Sequence, residues 1–264
     1  MGRGDLTDAE WERLRPFLPV SNRRCGRWRD HRQVIDGILR RVRTGVQWRD
    51  LPEWFGPWKT VYERHRQWSA AGPRVKGGRT GGTPERSAVA KSGRPLGGGG
   101  AGGEGLGRSR GGFTTKLHLS ADGAGRPLSL IVTAGQRADC TQFKPVLEKT
   151  CVPRPGPGRP RKKPDSIAAD KTYSNGPCRE YLRRRGIRHT IPEKTDNQAA
   201  RLRKGSRGGR PPGFDEDRYK KRNTVERTIN RLKQHRAVAT RYDKRGYVYL
   251  GTATAAALTI WLQS

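Results

Sequence analysis

Between residues 112 and 133 the chain switches to a period of two. Gly112–Ser120 (GFTTKLHLS) alternates Thr, Lys and His with apolar residues, the turn ADGAG follows, and Arg126–Thr133 (RPLSLIVT) returns. Two alternating runs around an Asp-Gly turn predict an antiparallel hairpin. Elsewhere the period is that of a helix. Leu6–Leu18 opens on Thr7 with Glu10 three residues later, a capping box, and Pro16 is expected to end it early. Asp30–Thr44 is expected to bury Val34, Ile35, Ile38, Leu39 and Val42 and to stop at Gly45. Pro57–Trp68 reads as a third helix, bearing Lys59, Tyr62, Arg64, His65 and Arg66. Further along, Asp139 is placed as the N-cap of a helix over Thr141–Lys149. Ser166–Asp170 is a short buried strand, Pro177–Arg185 a helix, and Ile187–Ile191 another strand. Tyr247–Leu262 is an Ala- and Leu-rich helix expected to pack on the sheet with Trp261 in the core. The mixture predicts an α/β fold with a helical N-terminal region.

One stretch carries chemistry on its face. In Asp217–His235 (DRYKKRNTVERTINRLKQH), Tyr219, Arg222, Glu226 and Lys233 stand at offsets that fall within about 60° of one helix face. Val225, Ile229 and Leu232 form the apolar stripe beside them. A carboxylate among cations suits work beside a phosphate. A solvated face of Glu–Lys pairs has the same spacing and is the bland alternative.

Charge narrows the partners. The 264 residues carry a formal net charge of +32, from 56 Lys and Arg against 24 Asp and Glu. Such an excess points to nucleic acid. Residues 108–264 hold 35 of the cations and 13 of the acids, so the main electrostatic surface is expected there. The basic loop Val152–Pro164 and the Gly-rich stretch within Pro192–Asp215 suit phosphate contact, and a solvated linker would share their composition. The four cysteines, at 25, 140, 151 and 178, form no CxxC pair, so neither a zinc site nor a disulfide framework is expected. No apolar export signal or membrane-length run is visible, which fits a reducing cytoplasm.

Residues 72–107 break the pattern. Fourteen of the 36 are Gly, none is aromatic and none is Asp. The segment reads as linker without strand or helix quality. No Asp occurs between Asp50 and Asp122, and Glu85 and Glu104 are the acids of the window.

The spacing Tyr-x2-Arg-x3-Glu-x6-Lys at Tyr219, Arg222, Glu226 and Lys233 resembles the signature of the DDE transposases of bacterial insertion sequences. The run GVQWRDLPEWFGPWKTVYERHRQW resembles the N-terminal domain of the same family. GGFTTKLHL, GQRAD and the AAD-K-T-Y-S around Asp170 match its core patterns. The resemblance implies a ribonuclease H-like core over 108–264 and a helix-turn-helix-like, DNA-end-binding domain over 1–71, with 72–107 between them. It implies Asp170 and Glu226 as catalytic ligands of Mg²⁺ or Mn²⁺, with Tyr219, Arg222 and Lys233 on DNA phosphates. Lys59, Arg64 and Arg66 are the candidate DNA contacts of the N-terminal domain. Terminal inverted repeats and target DNA become the expected partners, with a homodimer in the DNA complex.

The family's first catalytic Asp, on a strand just before the hairpin, has no counterpart here. Two readings of 72–107 stand: a flexible linker, or a stretch out of frame with the gene, because GC-rich codons misread tend to give Gly, Arg, Pro and Ala. Without that acid and its strand the core is incomplete. A DNA-binding remnant that cuts nothing is therefore the rival function. A basic RNA-associated protein is a third, without the aromatic sheet motif expected of common RNA readers.

Overall fold

The computed structural model describes residues 5–18, 28–71, 104–109, 112–153, 158–220 and 222–264. Most of the Gly-rich segment therefore lies outside the described residues. The chain divides into two compact units, one of residues 1–114 with 232–264 and one of 115–231. These bounds differ from the expected 1–71, 72–107 and 108–264, because the C-terminal helix joins the N-terminal helices.

In the first unit, α1 (Asp8–Leu14) starts at Thr7, and the capping box with Glu10 is complete. Arg15–Phe17 tightens into a 3₁₀ turn around Pro16. Helix α2 (His31–Thr44) is capped by the Asp30 carboxylate and ends on Gly45 at φ 71°, a conformation that favours glycine. Its Val34, Ile35, Ile38, Leu39 and Val42 are all buried. Helix α3 is Trp58–Ala71.

The second unit begins inside a hairpin. Strand β1 (Gly107–Ser109), not anticipated, pairs antiparallel with the first residues of β2 (Gly112–Ala121). Strand β2 then pairs antiparallel with β3 (Pro127–Ala134), from Thr115↔Ala134 to Ser120↔Ser129. Asp122 closes the turn by accepting from the backbone N–H groups of Ala124 and Arg126. Helix α4 is Phe143–Lys149. A second, two-stranded sheet pairs β4 (Ser166–Ala168) parallel with β5 (Arg188–Thr190), joined through α5 (Gly176–Arg184). Phe143, Leu147, Cys178, Leu182, Ile187 and Ile191 form its core, with Ile167 and Tyr173 packed alongside. The expected basic stretch Pro192–Asp215 contains helix α6 (Thr195–Arg203).

Two short helices follow, α7 (Glu216–Lys220) and α8 (Asn223–Lys233), and then α9 (Arg236–Ala239) and α10 (Gly246–Leu262). Helix α10 packs on α2 and α3, so its expected seat on the sheet is corrected. Leu262 joins Leu6, Ile35 and Leu39 in one apolar cluster, flanked by Trp11, Trp68 and Leu258. The cause is composition: α10 is apolar on every side, and α2 and α3 offer it an apolar groove.

Inside the first unit sits a buried ion pair. Arg41 Nη2 donates to Asp243 Oδ1 at 3.1 Å, with side chains 3% and 5% exposed. Thr252 Oγ1 donates to the same carboxylate at 2.8 Å, and the Arg41 guanidinium lies 4.9 Å from the Trp48 ring centre. His65 contacts Thr252 Oγ1 at 3.3 Å. Burial pushes the His65 imidazole down to about 4, so it stays neutral.

Candidate functional site

The signature residues do not share one helix. The expected continuous helix over Asp217–His235 is broken between α7 and α8. Arg222 N–H bonds to the Tyr219 carbonyl three residues back, and Val225 N–H to that of Arg222. Asn223 and Thr224 favour the start of a helix over its interior, which accounts for the break. The break still brings three of the four signature residues together. The Arg222 guanidinium lies 5.1 Å from the Tyr219 ring centre and donates to Glu226 Oε1 at 2.8 Å. The Arg222 side chain is 25% exposed and the Glu226 carboxylate 52%, so the pair faces solvent. Lys233 is exposed at the end of α8, two helical turns beyond Glu226, or about 10 Å. Of the expected apolar stripe, Leu232 is fully buried and Val225 and Ile229 are half-buried.

Thr228 anchors this helix and was not singled out from the sequence. It is fully buried, and its hydroxyl donates to the Gly125 carbonyl at 2.9 Å. Gly125 sits at φ 82° in the hairpin turn, and a Cβ there would come within 3.2 Å of the Thr228 oxygen. The close approach of turn and helix thus requires glycine. The periodicity of α8 marks positions 228 and 232 as one face, but a hydroxyl on it reads as solvent-facing until the partner carbonyl is known.

Asp170 stands just past the carboxyl end of β4. Its carboxylate accepts from its neighbour Lys171 N–H at 2.7 Å and from Thr172 Oγ1 at 3.2 Å. It therefore caps the short 3₁₀ turn Lys171–Tyr173, while Asn175 caps α5. The half-buried Tyr173 ring packs on Phe143 at 5.2 Å. Burial first, then the Asp139 and Asp170 charges, push its hydroxyl up to about 12. Asp139 does not cap the helix expected after it. It pairs with Lys116 Nζ at 2.9 Å, because the chain enters a 3₁₀ turn at Asp139 and α4 begins only at Phe143. His118 lines the hairpin, buried and 2.7 Å from Thr133 Oγ1.

The N-terminal candidates separate. Lys59 and Arg66 are exposed on α3, but Arg64 is buried. Its guanidinium lies between the Trp28 and Trp68 rings, 4.3 and 5.5 Å from their centres, and contacts His31 Nδ1 at 3.1 Å. Burial lowers its pKa. Arg64 is thus corrected from a surface contact to a packed cation, because the adjoining apolar groove is walled by tryptophans.

As ligands for a hard cation, Asp170 and Glu226 are the right chemical type, and among the described residues Asp170 accepts from its own turn. Among the described residues no group of three or more His, Cys, Asp and Glu is arranged to hold a metal. Glu104, one of the acids before the hairpin, is spent elsewhere: it accepts from Arg245 at 2.7 Å and from the Gly246 N–H that starts α10. No described helix is long and apolar enough to cross a membrane.

Comparison with known proteins adds two family matches. Residues 6–74 match the family described as a putative transposase of the IS4/5 family, and residues 79–258 match the transposase DDE domain. A protein named y4sN from Sinorhizobium fredii is 37% identical over 68 residues, which is 25% of this chain and 54% of that protein. A putative transposase for insertion sequence element IS6501 of Brucella ovis is 27% identical over 151 residues, 57% of this chain and 100% of that protein. A putative transposase for IS402 of Burkholderia cepacia is 29% identical over 135 residues, 51% of this chain and 56% of that protein. The chain thus spans about half the length of two of these three relatives. No solved structure matches the chain.

Proposed function

This chain belongs to the transposase DDE domain family, and we propose that it acts on the DNA ends of a bacterial insertion sequence. The observation that supports the reading is the Tyr219–Arg222–Glu226 cluster, which faces solvent on a family-matched stretch. A net charge of +32 supports a polyanionic partner.

In this reading residues 108–264 carry a ribonuclease H-like core, with β2 and β3 as its hairpin strands and Asp170 just past the end of β4. The helices of the first unit bind terminal inverted repeats in helix-turn-helix fashion, with Lys59 and Arg66 on phosphates. Asp170 and Glu226 would hold Mg²⁺ or Mn²⁺, and the ion would supply stabilisation of the oxygens of the cleaved phosphodiester. Arg222 releases Glu226 and offers its planar fork to a DNA phosphate, Lys233 adds a point charge further along the strand, and Tyr219 supports the guanidinium. A pair of chains on two DNA ends, acting in the cytoplasm, completes the proposal.

A second reading, DNA binding without cutting, is favoured by two observations. No Asp lies between Asp50 and Asp122, and no three-acid cluster is present among the described residues. One experiment separates the two. The full chain is incubated with DNA bearing the element's terminal repeats, with Mg²⁺ or Mn²⁺, beside Asp170→Asn and Glu226→Gln. Nicking lost in both variants supports the enzyme. Nicking that survives both refutes the metal assignment. Salt-sensitive binding with no nicking by any of the three identifies the remnant.

A further inference from the structure

Arg66 stands on the exposed side of α3, and the group that holds it comes from α10. Its Nε donates to the Tyr247 hydroxyl at 3.2 Å, and its Nη1 donates to Glu63 Oε1 at 3.4 Å. The Arg66 side chain is 51% exposed, and Tyr247 is 37% exposed in the first turn of a helix that carries no charge. Two bonds thus fix the plane of a guanidinium that still faces water. Lys59 lies exposed two turns earlier on α3, on the same side of the helix.

The seam beneath this pair is tightly packed. His65, next to Arg66, contacts Thr252 Oγ1 inside the unit, and Val248 and Tyr249, next to Tyr247, are buried. One turn further on, a Cβ at Gly251 would overlap the Ser69 hydroxyl, so α3 and α10 touch closely there. Neither helix can slide without disturbing that packing, and Tyr247 keeps its place opposite Arg66. The two partners of Arg66 differ. Glu63 is an exposed acid three residues back on the same helix, a pairing that contributes little and gives way to a phosphate. Tyr247 bonds across the helices to Nε, and so leaves both terminal nitrogens of the guanidinium for a phosphate.

We infer that Tyr247 is a positioning residue for DNA binding: its hydroxyl holds the Arg66 guanidinium turned outward, ready for a backbone phosphate with little ordering left to lose. The inference rests on the reading that α3 meets DNA phosphates. The full chain, Tyr247→Phe, Arg66→Ala and the double variant are titrated by fluorescence anisotropy onto two labelled duplexes, one of the terminal repeat and one of scrambled sequence. The titrations span a series of salt concentrations and are accompanied by melting curves. Arg66→Ala is expected to weaken binding to both duplexes and to reduce the salt slope by about one, as loss of one phosphate contact does. Tyr247→Phe should weaken both by about three- to tenfold at a given salt concentration, with the slope and melting curve kept, because the charge stays and only its placement is lost. The double variant should bind as Arg66→Ala does. Unchanged affinity in Tyr247→Phe, or a loss that persists in full without Arg66, overturns the positioning role. A fall on the repeat duplex alone marks a base contact and overturns it too. No effect of Arg66→Ala removes the underlying reading along with it. Should Tyr247→Phe fold poorly, Arg66→Lys makes the same comparison. It keeps the charge and loses the Nε donor, and binding equal to that of the unmodified chain would overturn the inference.

Discussion

At the scale of single residues, the first unit is held by polar groups that only burial makes costly to disturb. Among the described residues Asp243 is the carboxylate paired with the buried Arg41 side chain, and no partner reaches its Nε. Asp243→Asn would strand a charge inside the unit, and a loss of about 3–5 kcal/mol is expected in denaturant unfolding. His65 predicts a pH dependence of definite sign. Its folded pKa, about 4, lies below the ordinary 6.5, so between these values the unfolded chain binds the proton and the folded one does not. Its contribution is therefore complete above pH 6.5 and lost as pH falls towards 4, with a ceiling of about 3 kcal/mol. The stability gap between the unmodified chain and His65→Gln should shrink over that window; a constant gap would refute the buried neutral imidazole. Neither partner set is visible in the sequence. Asp243 lies in a basic connection (ATRYDKR) and Arg41 among three other arginines of its helix, so local composition marks both as solvated.

At the scale of elements, periodicity located nearly every helix and strand, and it failed where two neighbours compete for one segment. The hairpin was legible because Asp122 must turn the chain and alternation fixes which face is inward. The helix bearing Glu226 was legible as a face but not as two pieces, since the break depends on i to i−3 bonds around Arg222 that no spacing encodes. The cluster survives because Arg222 moves with the break and still reaches Tyr219 and Glu226. What holds α8 in place is a hydroxyl on a turn carbonyl. Thr228→Val keeps the volume and leaves the Gly125 carbonyl without that donor. A loss of about 1–3 kcal/mol in thermal or urea unfolding is expected. DNA-dependent activity should fall along with it, because Glu226 stands on the same helix half a turn away. An unchanged melting curve would show that the hairpin turn does not position α8.

For the whole molecule, the sequence suggests boundaries by composition, and a Gly-rich stretch looks like a border. Packing draws the line elsewhere, because α10 supplies the apolar surface that α2 and α3 need, and Leu262 completes the cluster around Leu6, Ile35 and Leu39. A helix of 17 residues without a charge cannot stay in water by itself, and the N-terminal helices cannot bury their faces against one another alone. Residues 1–71 expressed without the C-terminal segment are therefore expected to show no cooperative unfolding transition and to expose apolar surface to a hydrophobic dye. The same helices in the full chain should melt cooperatively. Supplying residues 232–264 as a separate chain should restore the transition, because Arg41 regains Asp243 and the groove regains α10. If residues 1–71 alone unfold as sharply as the full chain, the N-terminal region is an independent domain after all. The buried Arg41–Asp243 pair would then be a consequence of proximity and not the joint that fastens the two ends of the chain.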